Sequence, residues 1–146
     1  MEQKENDTVE LLKECNAGCK SATNSMEQVL GFLQEGKLKT LILKYNKDHI
    51  QLGDECHRLL NQENAEEKDP SMMAKTMSWL GTEMKMMMNS DDAKVADIMV
   101  EGCNMGIKSL EKYLNQYQAA DSKSKGITKQ LITLEENFRD ELYEFL

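Results

Sequence analysis

Apolar residues recur every three or four positions along most of the chain, which is the spacing of one face of an α-helix. The clearest run lies near the N-terminus and contains no charged residue: Leu12, Cys15, Cys19, Ala22, Met26, Val29 and Leu33. Five such runs can be traced, and the strict alternation of a half-buried strand is absent. The pattern therefore predicts an all-helical protein with five helices.

Helix boundaries follow from capping residues and from breaks in the pattern. Asp7-Thr8-Val9-Glu10 has the form of a capping box and predicts that the first helix begins there. Gly36 is expected to end that helix in a left-handed conformation. Asp69-Pro70 and residues 89–92 are expected to start later helices. The predicted helices cover about residues 7–35, 37–64, 70–88, 92–119 and 124–145.

The connections between the predicted helices indicate how they pair. Short turns join the first helix to the second and the fourth to the fifth, so each pair should form an antiparallel hairpin. The short third helix, about 27 Å long at ~1.5 Å per residue, is long enough to return the chain along a bundle. Two hairpins joined by one crossover form a ferritin-like four-helix bundle. We predict this arrangement for a single domain, residues 1–146, with an up-and-down bundle of five helices as the alternative.

The second and third predicted helices carry candidate association surfaces. The second has a wide apolar face, since Leu43, Ile50 and Leu60 lie beside its inner stripe. The third holds seven of the eleven methionines, which are adaptable packing residues. We expect one of these surfaces to mediate a homo-oligomer. The single glycines within the helices, Gly102 and Gly106 among them, are expected to mark close helix–helix approach.

Composition limits the location and the partners. The formal net charge of −8, spread over all the predicted helices, disfavours binding to nucleic acid or to an anionic membrane surface. No apolar run approaches the length of a membrane span, and the N-terminus does not resemble a signal peptide. We therefore expect a cytoplasmic protein. Its four cysteines include no Cys-x-x-Cys pair and are expected to be free thiols.

Three segments carry a resemblance to a known family: residues 11–20, residues 77–80 and residues 101–114. Together they resemble an uncharacterised bacterial family, domain of unknown function 2383, which is grouped with ferritin-like and rubrerythrin-like proteins. The resemblance implies a ferritin-like bundle, often oligomeric, with no established reaction. In many members the positions of Cys19 and Cys103 hold glutamate and the position of Phe138 holds histidine. The resemblance thus implies that an iron site built from those groups is altered or lost here.

A di-iron bundle uses one glutamate from each of two helices and a Glu-x-x-His motif from each of the other two, all pointing inward. The nearest match here is Asp54 with His57, three residues apart. Cys56 is the inward residue of that segment, so Asp54 should point away from the core. Both polar residues are expected to be solvated, and no intact di-iron site is predicted.

Four core residues are candidate metal ligands instead. Counting from the predicted turns places Cys19 level with about Leu52, Cys103 near His49, and Glu141 near Cys103. Thiolate, imidazole and carboxylate groups bind zinc or iron, so Cys19, His49, Cys103 and Glu141 form a predicted metal site. The alternative is that the cysteines are apolar fillers and that His49 is hydrogen-bonded to a neighbour such as Tyr45 or to a backbone carbonyl.

The sequence lacks the marks of the common catalytic sites. It has neither a glycine-rich phosphate loop nor a Ser-His-Asp arrangement, and all four cysteines lie on inner stripes, unlike an activated nucleophile. Cys15 and Cys56 are predicted to lie level and are a candidate redox pair. We expect a structural or stress-related interaction protein without a cofactor, rather than an enzyme. A protein that holds zinc or iron through core residues is the alternative, and an enzyme with a water-accessible cavity at His49 is the third possibility.

Overall fold

The computed structural model describes residues 2–66 and 91–146. Within these ranges the protein is all-helical, as predicted, with four α-helices and no strands: α1 (Glu2–Leu30), α2 (Lys37–Gln62), α3 (Asp92–Gln116), α4 (Ser122–Leu142) and a final 3-10 turn (Tyr143–Phe145). The predicted third helix, residues 70–88, lies outside the described residues. Of the helices described, none is both long enough and apolar enough to span a bilayer.

Contacts between side chains define the helix directions. Gly53 of α2 packs against Cys19 of α1, and Cys56 lies beside Cys15, so α1 and α2 are antiparallel. The short turn between Gln116 and Ser122 makes α3 and α4 a second antiparallel hairpin.

The two hairpins are joined through α4. His49 of α2 contacts Glu135, and Tyr45, one turn earlier on α2, contacts Glu141, so α2 and α4 are antiparallel. It follows that α2 and α3 are parallel, as predicted for two hairpins joined by a crossover. The end of α2 and the start of α3 therefore lie at opposite ends of the bundle.

The predicted apolar stripe of α1 forms one wall of the core. Five of its residues are buried: Leu12, Cys15, Cys19, Met26 and Val29. Most of the α2 stripe is buried as well, including His49 and Cys56. Leu43 and Ile50, from the wider face of α2, are 49% and 42% exposed. The described part of the chain thus leaves one side of α2 largely uncovered.

The predicted capping box at residues 7–10 is wrong. Helix α1 already begins at Glu2, so the side chains of Asp7 and Thr8 are free to bind elsewhere. The Asp7 carboxylate accepts a hydrogen bond from the backbone N–H of Ala119 at 2.9 Å, and the Thr8 hydroxyl accepts one from the N–H of Asp121 at 2.8 Å. Both residues attach the start of α1 to the turn between α3 and α4.

The predicted left-handed end of α1 at Gly36 is also wrong. Helix α1 ends at Leu30, and Gly36 is instead the residue before α2, with an extended backbone (φ 161°). The predicted start of α3 is confirmed, because the Asp91 side chain accepts a hydrogen bond from the N–H of Lys94 at 3.0 Å.

Replacing Thr8 by valine should destabilise the protein by about 1–2 kcal/mol, because the N–H of Asp121 then loses its acceptor in a partly buried turn. Urea denaturation followed by circular dichroism measures the change. The control is Thr40→Val, the same substitution at an exposed position, which should change the free energy of unfolding by about 0.5 kcal/mol or less. Equal effects of the two substitutions would contradict a role for Thr8 in holding the turn.

Candidate functional site

A histidine and a glutamate from different hairpins meet in the centre of the bundle. His49 of α2 is completely buried, and Glu135 of α4 is 8% exposed. The Nε2 atom of His49 is hydrogen-bonded to Oε1 of Glu135. His49 was a predicted site residue, whereas Glu135 was not.

The hydrogen bonds of His49 determine where its protons lie. Its Nδ1 atom is 2.6 Å from the carbonyl oxygen of Tyr45, and a carbonyl only accepts, so Nδ1 carries a proton. In a neutral ring Nε2 would then present a lone pair to the carboxylate, and two acceptors cannot bond without a proton between them. The His49–Glu135 pair therefore shares one proton and carries no net charge, which is the form that burial favours.

The electrostatics of His49 agree with this arrangement. Burial by itself would lower the pKa of His49. The hydrogen bond and the negative charge of Glu135, together with the Tyr45 carbonyl, outweigh burial and raise the pKa above its ordinary value. The carboxylate of Glu135 is thus the main reason why the ring holds its second proton.

A second polar contact lies one turn away along α2. The hydroxyl of Tyr45 donates a hydrogen bond to the carboxylate of Glu141. Burial and then this bond raise the pKa of Tyr45. The ring of Phe138 stacks on Tyr45 with centroids 4.6 Å apart and presents its edge to His49 at 6.4 Å. Phe138 therefore contacts both polar residues of α2.

Three of the four cysteines are held as thiols in the core, whereas the hydrogen bond with Cys56, against the opposing effect of burial, lowers the pKa of Cys15. All four are free and buried. Burial, and next the negative charge of Glu135, raise the pKa of Cys103, whose thiol is hydrogen-bonded to that carboxylate. Burial also raises the pKa of Cys19. The hydrogen bond with Cys15, followed by burial, raises the pKa of Cys56. None of these three is an activated thiolate.

The four predicted metal ligands do not lie at one level of the bundle. Cys103 and His49 are linked through Glu135, whereas Glu141 binds Tyr45, and Cys19 packs against Gly53, one turn beyond His49. Among residues 2–66 and 91–146, no group of three or more histidine, cysteine, aspartate and glutamate side chains is arranged to hold a metal ion. Zinc or iron binding stays a prediction.

A cavity of about 230 Å³ lies between α1 and α3 and reaches Cys103 and Glu135. Small residues form its outer walls, among them Ala17, Gly18, Ser21, Gly102 and Gly106. The predicted close helix approach is confirmed at Gly106, where a Cβ atom would lie 3.4 Å from Oε2 of Glu135. At Gly18 and Gly102 a Cβ atom would meet no atom of the described residues within 4 Å. The residues that line the cavity include the partner of His49 but not His49 itself.

Comparison with known proteins gives this chain no relative: no family model, no curated protein and no solved structure matches it. The family resemblance inferred from residues 11–20, 77–80 and 101–114 stays a prediction. The function is therefore inferred from the geometry of the core.

The shared proton should make stability depend on pH. Because the pKa of His49 is raised on folding, its contribution is complete below the unfolded value of about 6.5 and is lost as the pH rises through the folded value. Replacing His49 by glutamine should cost about 3 kcal/mol at pH 6, and the difference from the original protein should shrink toward pH 9.

Urea denaturation across that range measures this difference, and NMR of the imidazole nitrogens should show Nδ1 protonated throughout. His57→Gln, which removes the exposed second histidine, is the control. A difference that grows above pH 6.5 would contradict the proposed proton between His49 and Glu135.

Proposed function

We propose that the chain is a ferritin-like bundle protein that lacks an intact di-iron carboxylate site and acts as a structural or stress-related interaction protein. Two features of the described helices support the ferritin-like part. The helices form two antiparallel hairpins, and the parallel directions of α2 and α3 require one long connection between them. In this proposal residues 70–88 supply the crossover helix.

The missing iron site is argued from a comparison of core positions with the di-iron pattern. That pattern needs a Glu-x-x-His motif on each of two helices. Helix α2 has Asn46-x-x-His49, and α4 has Glu135-x-x-Phe138, so each helix holds half of a motif. These two halves face each other, because His49 is bonded to Glu135 and Phe138 packs against Tyr45, the neighbour of Asn46.

Helices α1 and α3 also lack the glutamate that the di-iron pattern requires at the level of His49 and Glu135. Helix α3 presents the thiol of Cys103. On α1, Cys15 lies beside Cys56 and Cys19 beside Gly53, so the next residue of the stripe, Ala22, lies at about the level of His49. Only His49 and Glu135 match the six ligand positions of the di-iron pattern, and they bond to each other. This observation carries the proposal.

The charge balance of the core also disfavours a site for two iron ions. Two Fe²⁺ ions in a buried site need several carboxylates to balance their charge. Here the one carboxylate at this level is already balanced by the proton shared with His49. The side-chain oxygen of Asn46 is buried and has no hydrogen-bond partner in the described part of the chain, but an amide oxygen supplies no negative charge.

A restored ligand set tests this assignment. The variant with Ala22→Glu, Asn46→Glu, Cys103→Glu and Phe138→His should bind two Fe²⁺ per chain under anaerobic conditions, whereas the original protein should bind none. Iron analysis after gel filtration measures both. The control adds Glu135→Ala to the four substitutions and should lose the iron again.

Two results would contradict the proposal. One is stoichiometric iron in the original protein. The other is a restored variant that keeps its helical circular dichroism spectrum but binds no more iron than the Glu135→Ala control.

A metal-binding function is the second candidate, and the orientation of His49 favours it. Metal-ligating histidines usually donate their other ring N–H to a carbonyl or carboxylate, as His49 does to Tyr45. In this candidate zinc or iron takes the place of the proton between His49 and Glu135, and the other predicted ligands, Cys19, Cys103 and Glu141, would have to move to complete the site, since no three such side chains in the described residues are arranged for a metal. If the protein is purified with one zinc or iron ion per chain, and the Cys103→Ala variant is purified without it, this candidate is supported over the first.

Self-association is part of the proposal, and the uncovered side of α2 is its best candidate surface. Leu43 and Ile50 are two helical turns apart and both are exposed. Replacing both by lysine should shift the protein toward the monomer in sedimentation velocity, because burying either charge in an interface is costly. Lys47→Ala on α2 is the control for a surface change on the same helix. An unchanged sedimentation coefficient after the double substitution would rule out α2 as the interface.

A further inference from the structure

We propose that the cavity between α1 and α3 is a binding site for a small neutral aromatic molecule that carries one hydroxyl group, a ligand of the phenol class. The inference goes beyond the proposed function and does not depend on whether the core holds a metal. It is argued from the size of the cavity, its walls, its polar end and its charge.

The size fits one aromatic ring. The cavity measures about 230 Å³. An apolar cavity of about 150 Å³ in a protein core binds benzene. The additional volume leaves room for a substituent on the ring.

The inner wall is suited to an aromatic ring in particular. Met26, Met99 and Phe138 line the cavity, together with Ile98 and Leu131. Thioether sulfur atoms make favourable contacts with aromatic rings, and an aromatic side chain adds edge or stacking contacts. The small residues of α1 and α3, such as Ala17 and Gly102, leave the space that the ring would fill.

One end of the cavity offers a hydrogen-bond acceptor. The Oε2 atom of Glu135 lies next to Gly106, 3.4 Å from the position that a Cβ atom would take there, and both residues line the cavity. Oε1 of Glu135 is committed to His49, but Oε2 has lone pairs of its own and can accept a hydrogen bond from a ligand hydroxyl.

The charge of the cavity selects a neutral ligand. An aromatic anion would offer only acceptors to the Oε2 atom of Glu135, and the formal net charge of −8 disfavours it further. The proton shared with His49 balances the charge of Glu135, so a cation would find no unbalanced charge at that end. A hydroxyl group, which is an uncharged donor, meets both conditions.

Binding of four probes to the full chain tests the proposal: phenol, toluene, benzoate and benzylammonium, in buffer that contains EDTA. Phenol should bind about fivefold more tightly than toluene, which is the size of effect that one hydrogen bond gives. Benzoate should not bind. In methyl NMR spectra phenol should shift Ile98, which lines the cavity, and leave Ile42, which belongs to the same core but does not line it.

Cavity-filling variants identify the site. Gly102→Leu should abolish phenol binding, because its side chain enters open space within the cavity. Gly18→Leu fills the cavity from the opposite wall, and it replaces Gly102→Leu in the binding experiment if that variant does not fold. Gly126→Leu adds the same side chain on α4 outside the cavity and should leave phenol binding unchanged.

Four results would overturn the inference: no phenol binding, phenol binding that survives in both filled variants, benzoate binding as tight as that of phenol, or tighter binding of benzylammonium than of phenol. Because EDTA removes free metal and the readout is ligand binding, the outcome is independent of the iron experiments with the restored variant.

Discussion

The proton between His49 and Glu135 is the condition on which the centre of this bundle depends. Without it, two acceptors would face each other in the core, and the carboxylate would be an unbalanced charge that is more than nine-tenths buried. With it, the pair is neutral and fully bonded, since the carbonyl of Tyr45 takes the other ring N–H. The surrounding side chains are arranged to suit such a neutral pair: Phe138 packs on one side, and the thiol of Cys103 bonds to the carboxylate.

The helical stripes could be predicted from the sequence because a helix that buries one face carries apolar residues every three or four positions along it. Cys15 and Cys19 lie beside Cys56 and Gly53 as counting from the turn predicted, so the register of the first hairpin follows from local information. The second hairpin was predicted less well. Helix α3 ends at Gln116, three residues earlier than expected, and Glu135 rather than Glu141 therefore faces Cys103. A longer turn shifts every level counted from it.

Glu135 was missed because the predicted position of the turn brought Glu141, rather than Glu135, level with Cys103. Leu131, Glu135, Phe138 and Leu142 have the four-three-four spacing of an inner stripe, so a stripe interrupted by a carboxylate was the available signal. The roles of Asp7 and Thr8 had no local signal. Their partners are more than a hundred residues away, and the same residue types fit a local cap equally well. A glycine alone is also an ambiguous signal, since a missing side chain permits either close contact, as at Gly106, or open space in the described part of the chain, as at Gly102.

The polar pair also bears on how the two hairpins come together. Each hairpin is held by contacts between neighbouring segments of the chain and can form early, whereas the bond between His49 and Glu135 forms only when they dock. Apolar faces alone tolerate sliding of one helix along another by a turn. Such a slip here would separate the histidine from the carboxylate and leave both buried alone, at a cost of about 3–5 kcal/mol. The pair thus fixes the register between the two hairpins, because arrangements shifted by one helical turn leave both residues buried and unpaired.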